Sequence, residues 1–344
     1  MNGIFIKNSL FGNKLLTLVS SLIISACGSD NVSDDQASNN EISFPDAALR
    51  HCVESTVETN ELTNYSEITH LECNEVGIKN AEGIEYLQSL TELHMYNNQL
   101  TSIDLSNNTE LKTLDLFGNQ LTSIDVSNNT ELKTLDLFRN QLNSIDVSNN
   151  TALAALVLSS GQLSDIDLSH NTELNVLILA SSVSSIDLRN NTELTGLYVE
   201  GASLHSIDLS NNTELTDLTI RASSVTDIDL GENTELVNLT LSVNNLSSID
   251  LSSNIELEYL DLSYNNLSGI DLSNNTELAY LDLSHNSLTS IDYGSNGIFA
   301  YLDLSDNQFS NSDDNNAGND SGFGWTRPRV PGGFELTINI PENN

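Results

Sequence analysis

LKTLDLFGNQLTSIDVSNNTE, residues 111–131, is followed directly by LKTLDLFRNQLNSIDVSNNTA, residues 132–152, and the two copies differ at three positions. Displaced by 21 residues, the chain matches itself from Leu90 to Phe299. Units open at Leu111, Leu132, Leu153, Leu174, Leu194, Leu215, Leu236, Leu257 and Leu278, and only the step from Leu174 to Leu194 is one residue short. A period of this size means a solenoid, because a unit so short can bury its apolar side only against its neighbours. With the fold class settled by the repeat, function is a question about the columns the repeat leaves exposed.

The unit L-x-x-L-x-L-x-x-N-x-L-x-x-I-D-L-S-x-N-T-E resembles the leucine-rich repeat family over residues 68–310. The resemblance implies a right-handed arc with a parallel β-sheet on its concave face. In Leu114-Asp115-Leu116 the leucines then point inward and the aspartate outward, since strand side chains alternate. Asn98, Asn119, Asn140, Asn244, Asn265, Asn286 and Asn307 fill the turn position, where an amide can bond backbone groups stranded by the bend. The second half of each unit repeats the leucine spacing, as in a nested bacterial class of these repeats. It lacks a helical period, so the convex side is expected to hold short strands or extended segments.

Lys7 and Lys14 precede an apolar run, Leu15 to Ile24, too short to span a bilayer but suited to a signal peptide over residues 1–26. Ile24-Ser25-Ala26-Cys27 resembles the lipobox of bacterial lipoproteins. That resemblance implies cleavage before Cys27 and lipidation of its thiol, giving a membrane attachment through lipid alone. Gly28 in place of Asp favours the outer membrane of a bacterial envelope. An ordinary signal peptide with an incidental cysteine is the competing reading. Residues 27–42 are polar and acidic with little to bury, which reads as a disordered tether.

An N-terminal cap is expected over residues 43–67, with Phe44 to Val53 as a short helix and Ile68 to Cys73 as the first, degenerate repeat strand. A Cys52–Cys73 disulfide would staple one to the other, contributing about 3 kcal/mol for a loop of this length. Two free thiols, or a zinc pair completed by His51 and His70, are the alternatives. Residues 311–344, with Trp325 and the apolar run Phe334 to Ile340, are expected to form the C-terminal cap.

The net charge is −38, and loss of residues 1–26 with their two lysines takes it to −40. Such a surface argues against nucleic acid and anionic lipid headgroups as partners. His51, His70, His94, His170, His205 and His285 fall in different units with no metal spacing. There is no Gly-rich phosphate loop and no nucleophile beside a base, so an enzyme is not expected and no cofactor is required.

The concave column between the strand leucines runs His94, Asp115, Asp136, Val157, Ile178, Tyr198, Thr219, Thr240, Asp261, Asp282 and Asp303. Two residues later stand Tyr96, Phe117 and Phe138, and two residues earlier stand Tyr259, Tyr280 and Tyr301. These aromatics, with the apolar middle of Val157, Ile178 and Tyr198, are expected to be exposed and to bind an unknown protein or glycan. Stacking that merely stabilises the sheet is the alternative.

A second outward column holds Asp104, Asp125, Asp146, Asp167, Asp187, Asp208, Asp229, Asp250, Asp271 and Asp292. Strands about 4.8 Å apart would make this a carboxylate ladder. It reads either as a solvated face that blocks aggregation or as a divalent-cation array, with calcium the candidate ion. Mutual repulsion is expected to raise the ladder's pKa values above the ordinary carboxylate value. The leading functional reading is a surface-anchored binding module, internalin-like in general architecture, acting in adhesion or host contact. Its rival is a structural or cation-binding envelope protein that uses the ladder.

Overall fold

A computed structural model describes residues 42–160, 163–292 and 299–309. The expected signal peptide, lipidation at Cys27, most of the tether and the C-terminal cap lie outside these residues. Ile42, assigned to the tether, already packs against the core.

The chain enters through helix α1 (Ala47–Thr59), longer than the expected Phe44–Val53 segment. Asp46 begins it by accepting from the backbone N–H of Ala48 at 2.9 Å and of Leu49 at 3.2 Å. Its other oxygen accepts from Lys79 N at 2.9 Å and Asn80 N at 3.3 Å, so one carboxylate both caps the helix and ties it to the first turn. Burial works against that charge, yet the backbone donors hold Asp46 below the usual carboxylate value. Leu49 and Val53 cover the first repeat. Cys52 and Cys73 are disulfide-bonded with Cα atoms 5.8 Å apart, which excludes the free-thiol and zinc alternatives.

Among the described residues, twelve strands form one parallel sheet in sequence order. They are β1 (His70–Glu72), β2 (Glu92–His94), β3 (Thr113–Asp115), β4 (Thr134–Leu137), β5 (Ala155–Ser160) and β6 (Val176–Ser181). β7 (Gly196–Glu200), β8 (Asp217–Arg221), β9 (Asn238–Thr240), β10 (Tyr259–Asp261), β11 (Tyr280–Asp282) and β12 (Tyr301–Asp303) complete it. Register advances one unit per strand, and Val176 pairs with Gly196 across the short unit without breaking the leucine row. Leu93, Leu114, Leu135, Leu156, Leu177 and Leu197 are wholly buried, as the alternation requires.

The turn asparagines act as expected. Asn119 Nδ2 donates to Leu116 O and Met95 O, both at 3.0 Å, while its Oδ1 accepts from Leu100 N at 3.0 Å. Just before this bend the backbone turns left-handed, with φ between +50° and +57° at Arg139, Ala222, Val243, Tyr264 and His285. Ser182, Ala202 and Ser223 stand at the turn position in the middle units, with side chains too short to span it. There the ladder runs on instead: β5 and β6 are six residues long and β7 and β8 five, against three for β9 to β12.

Among the described residues the convex halves are extended but unladdered, apart from one isolated bridge between Asp271 and Asp292. They are held by a second asparagine column absent from the sequence reading. Asn129 Nδ2 donates to Leu105 O at 3.1 Å and to Asn108 O at 2.8 Å. Asn150, Asn171, Asn191, Asn212, Asn233, Asn254 and Asn275 repeat the pattern, each wholly buried.

Candidate functional site

The concave face displays three outward columns, and stacking governs how much of each is seen. Tyr259 and Tyr280 rings lie 4.1 Å apart at 13°, and Tyr280 and Tyr301 lie 4.3 Å apart at 7°. Phe117 and Phe138 stack at 6.0 Å and 4°. Tyr96 sits beside them, and all six side chains are half-buried on the concave surface. They face out of the solenoid as expected, but they are not the freely exposed rings the sequence predicted. Parallel strands bring identical residues into contact, so ring faces are spent on each other and ring edges and hydroxyls remain.

The apolar middle departs further from expectation. Val157 is only 6% exposed, and Ile178 and Tyr198 are half-buried. Ala155 and Val176 stand in the neighbouring column and Ile178 pairs beside Val157 on the next strand, so apolar side chains cover one another there, while Asp136 borders Val157 on the preceding strand. Burial pushes the Tyr198 phenol well up, with the Asp217 charge adding to it.

Carboxylates lie between the aromatic columns. Asp115 Oδ1 accepts from Phe117 N at 3.0 Å and Asp136 Oδ1 from Phe138 N at 2.9 Å. Desolvation lifts Asp136 to about 7, helped by the Asp115 charge. His94 Nδ1 lies 3.7 Å from Asp115 Oδ2, and the pull of that carboxylate raises the imidazole pKa against its burial. The Arg139 guanidinium sits 5.4 Å from the Phe117 ring centre. At the other end Asp261 Oδ1 accepts from Ser263 N at 2.9 Å and Oγ at 2.7 Å, and Asp282 does the same with Ser284. Desolvation, then the charges of Asp261 and Asp303, raise Asp282 above the ordinary value. Desolvation also pushes Tyr259 up to about 12.

One exposed row escaped the sequence reading. Tyr264, 53% exposed, stacks on His285 with centroids 4.0 Å apart, and His285 Nε2 lies 3.2 Å from Asp306 Oδ2. These occupy the left-handed position before the turn asparagine, next to exposed Val243. Reading the residue that precedes each turn asparagine would have found them.

The convex ladder corrects a prediction. Its carboxylates cap their own turns: Asp104, Asp125, Asp146, Asp167, Asp208, Asp250 and Asp271 accept from the N–H of the serine two residues on, at 2.9–3.1 Å. Asp187 takes Arg189 N and Asp229 takes Gly231 N. The serine hydroxyl, then its N–H, lowers the pKa of Asp104, Asp125, Asp146, Asp167, Asp208 and Asp250; at Asp271 the N–H comes first. The expected upward shift is wrong because the groups stand in water, where screening blunts repulsion while each local donor acts at contact distance. A shallow cavity of about 220 Å³ lies between Asp250 and Asp271. Among the described residues no group of three or more His, Cys, Asp or Glu side chains is placed to hold a metal ion.

Two family models match the chain. "Leucine Rich repeats (2 copies)" covers residues 88–129 and "Leucine Rich Repeat" covers residues 256–276. An internalin of Listeria monocytogenes, InlF, is 27% identical over 80% of this chain and 86% of its own, with a TM-score of 0.69. The functional domain of InlJ from the same organism, which includes a cysteine ladder, is 27% identical over 77% and 74%, with a TM-score of 0.54. YopM, a leucine-rich effector protein of Yersinia pestis, shares the fold at 19% identity over 78% and 86%, with a TM-score of 0.61. No helix among the described residues is long and apolar enough to cross a membrane.

Proposed function

We propose that this chain, a leucine-rich repeat protein with internalin-like structural neighbours, is a non-catalytic module that binds a protein on its concave face. In this reading a lipid on Cys27 holds it at the surface of a bacterial envelope, where it acts in adhesion or host contact. The observation that carries the reading is the concave face itself: stacked, half-buried aromatics run beside carboxylates on a rigid twelve-stranded sheet. Side chains already immobilised by stacking lose little entropy on binding. The same stacking favours a protein over a glycan, because sugars pack against open ring faces and here the faces meet each other at 4.1 and 4.3 Å. Anchoring rests on Ile24-Ser25-Ala26-Cys27 alone.

The test uses a photo-crosslinking residue placed at Tyr198 or Tyr280, and at convex Asp208 as a control, in the full chain offered to intact host cells and to a glycan array. Concave-only crosslinks to a discrete protein, lost in Tyr280→Ala, are expected. Array binding without any protein crosslink would overturn the protein assignment. Labelled palmitate that still enters Cys27→Ser would overturn the anchor.

A further inference from the structure

The two ends of the concave face share a design, aromatic rings beside stacked aspartates, but differ in where the neutralising charge comes from. At the N-terminal end the chain supplies its own cations: Arg139 lies over Phe117, and His94 lies against Asp115. At the C-terminal end His285 meets Asp306 at 3.2 Å, but among the described residues no Lys, Arg or His forms an ion pair with Asp261, Asp282 or Asp303. From residue 222 to residue 309 there are fourteen Asp and Glu and not one Lys or Arg. Elsewhere a charged row of this kind is relieved by solvent, but here Asp282, in the middle of the row, is desolvated by burial beside the tyrosines.

We propose that the lattice of Tyr259, Tyr280 and Tyr301 with Asp261, Asp282 and Asp303 is the subsite for a basic segment of the protein partner, which sets arginine or lysine side chains between the carboxylates. This rests on the concave-face reading above and names the chemistry of its ligand. The carboxylates are already aimed. In Asp261 and Asp282 one oxygen is fixed by the serine N–H and hydroxyl, leaving Oδ2 for an incoming donor. Tyr301 Oη donates to Asp303 Oδ2 at 3.4 Å, so phenol and carboxylate converge on the same surface. Neighbouring strands about 4.8 Å apart place two such oxygens within reach of one guanidinium, whose planar fork donates in two directions.

A buried hydroxyl marks the rim. Ser242 occupies the serine column one strand before Ser263 and is only 2% exposed, yet its Oγ has no hydrogen-bond partner. The cause is visible in the register: Thr240 pairs with Asp261 and stands where the three following units carry the accepting carboxylate. Ser242 is therefore an unmet polar group at the end of the lattice, beside exposed Val243 and Tyr264, which offer apolar contact to the stems of long basic side chains.

The full chain is titrated against a fluorescent peptide of alternating arginine and serine, with a glutamate–serine peptide and spermine as comparison arms, at physiological salt. Saturable binding of the basic peptide is expected, with none of the acidic one. Asp261→Asn/Asp282→Asn/Asp303→Asn is expected to weaken binding about tenfold or more, since it removes charge-assisted hydrogen bonds. Asp229→Asn/Asp250→Asn/Asp271→Asn removes the same charge from the convex side and should change binding less than about twofold. Should the concave triple misfold by circular dichroism, Tyr264→Ala and Tyr301→Phe take its place, each expected to weaken binding a few-fold. Equal losses from the concave and convex triples, no binding of the basic peptide, or spermine binding as tightly as the peptide would each overturn the proposal. Concave crosslinks to a protein without basic-peptide binding would sink this subsite and leave the broader reading standing. Peptide binding without such crosslinks would do the reverse.

Discussion

Replacing Asn212 tests whether the convex asparagine column, rather than the sheet alone, holds the solenoid together. Asn212 is wholly buried and its Nδ2 donates to Leu188 O at 3.1 Å and Asn191 O at 2.8 Å. Asn212→Ala removes one of the two hydrogen bonds that each carbonyl accepts, since Leu188 O keeps Asn191 N at 3.0 Å and Asn191 O keeps Leu194 N at 3.2 Å, and each lost bond costs about 0.5–1.5 kcal/mol. Against that, Asn212 Oδ1 has no hydrogen-bond partner of its own, so deleting it returns about 1–3 kcal/mol. These two terms about cancel, and the space left by the wholly buried amide sets the net loss at about 1 kcal/mol, still a measurable part of the roughly 5–15 kcal/mol that holds a domain folded. Asn212→Asp keeps the shape, loses both donors and buries a charge, so it should be worse than alanine. Urea unfolding followed by circular dichroism gives the order wild type, Ala, Asp. Hydrogen exchange should place the opening around Leu188 to Leu215, because coupling in a solenoid passes only between neighbours. Unchanged midpoints for both variants, or an aspartate milder than alanine, would refute the reasoning.

Cys52→Ser/Cys73→Ser should cost about 3 kcal/mol and raise exchange in α1 without altering the repeats, so equal exchange in α1 by mass spectrometry would count against the staple. Asp136, raised to about 7 by burial, favours the folded state when protonated; its contribution is present below the unfolded value and lost as pH rises toward 7. The melting temperature should therefore climb from pH 7 to pH 5 and lose part of that slope in Asp136→Asn. The convex aspartates carry the opposite sign: their contribution is present above the unfolded value and lost as pH falls below about 4. Ser127→Ala should move the Asp125 titration upward in a carboxyl NMR experiment, and an unmoved titration would disprove the serine cap. Millimolar calcium should raise the melting temperature no more than sodium at equal ionic strength, since one oxygen of every ladder carboxylate from Asp104 to Asp271 already serves a backbone N–H.

Period and leucine spacing made the arc, the sheet and the register legible, because each depends on residues that recur. The cap was legible in part: Asp46 and the cysteine pair were visible, but the helix ran on to Thr59 through a segment with no strong stop. What stayed hidden was contact between side chains of the same column. An alternating pattern says that Tyr280 points outward; it does not say that Tyr259 and Tyr301 will cover both of its faces. Nor does it say that Ile178 on the next strand and Ala155 and Val176 in the neighbouring column will cover Val157. The second asparagine column was in view in every S-N-N-T stretch, yet its role depends on carbonyls one turn away, which no local reading supplies.

The two aspartate columns show how burial alone can reverse a motif. Asp250 on the convex side and Asp282 on the concave side each accept from the N–H of the serine two residues on, both at 2.9 Å. Local chemistry is the same, so local chemistry cannot explain why one pKa falls and the other rises. The difference is what lies beside the carboxylate. Asp250 faces water, and its serine donors dominate. Asp282 stands beside a stacked tyrosine column that excludes water, and desolvation outweighs the same donors. The convex column thus uses its charge to fasten turns and keep the surface solvated. Asp282 on the concave side keeps a charge it would be more stable without, in a stretch, residues 222 to 309, that holds no Lys or Arg. A carboxylate held in that condition gains most from an incoming cation, which would lower its pKa toward the convex value. A fall in the Asp282 pKa when a basic ligand is bound, read by carboxyl NMR, is the signature that separates recognition at this face from attraction to the molecule's overall charge.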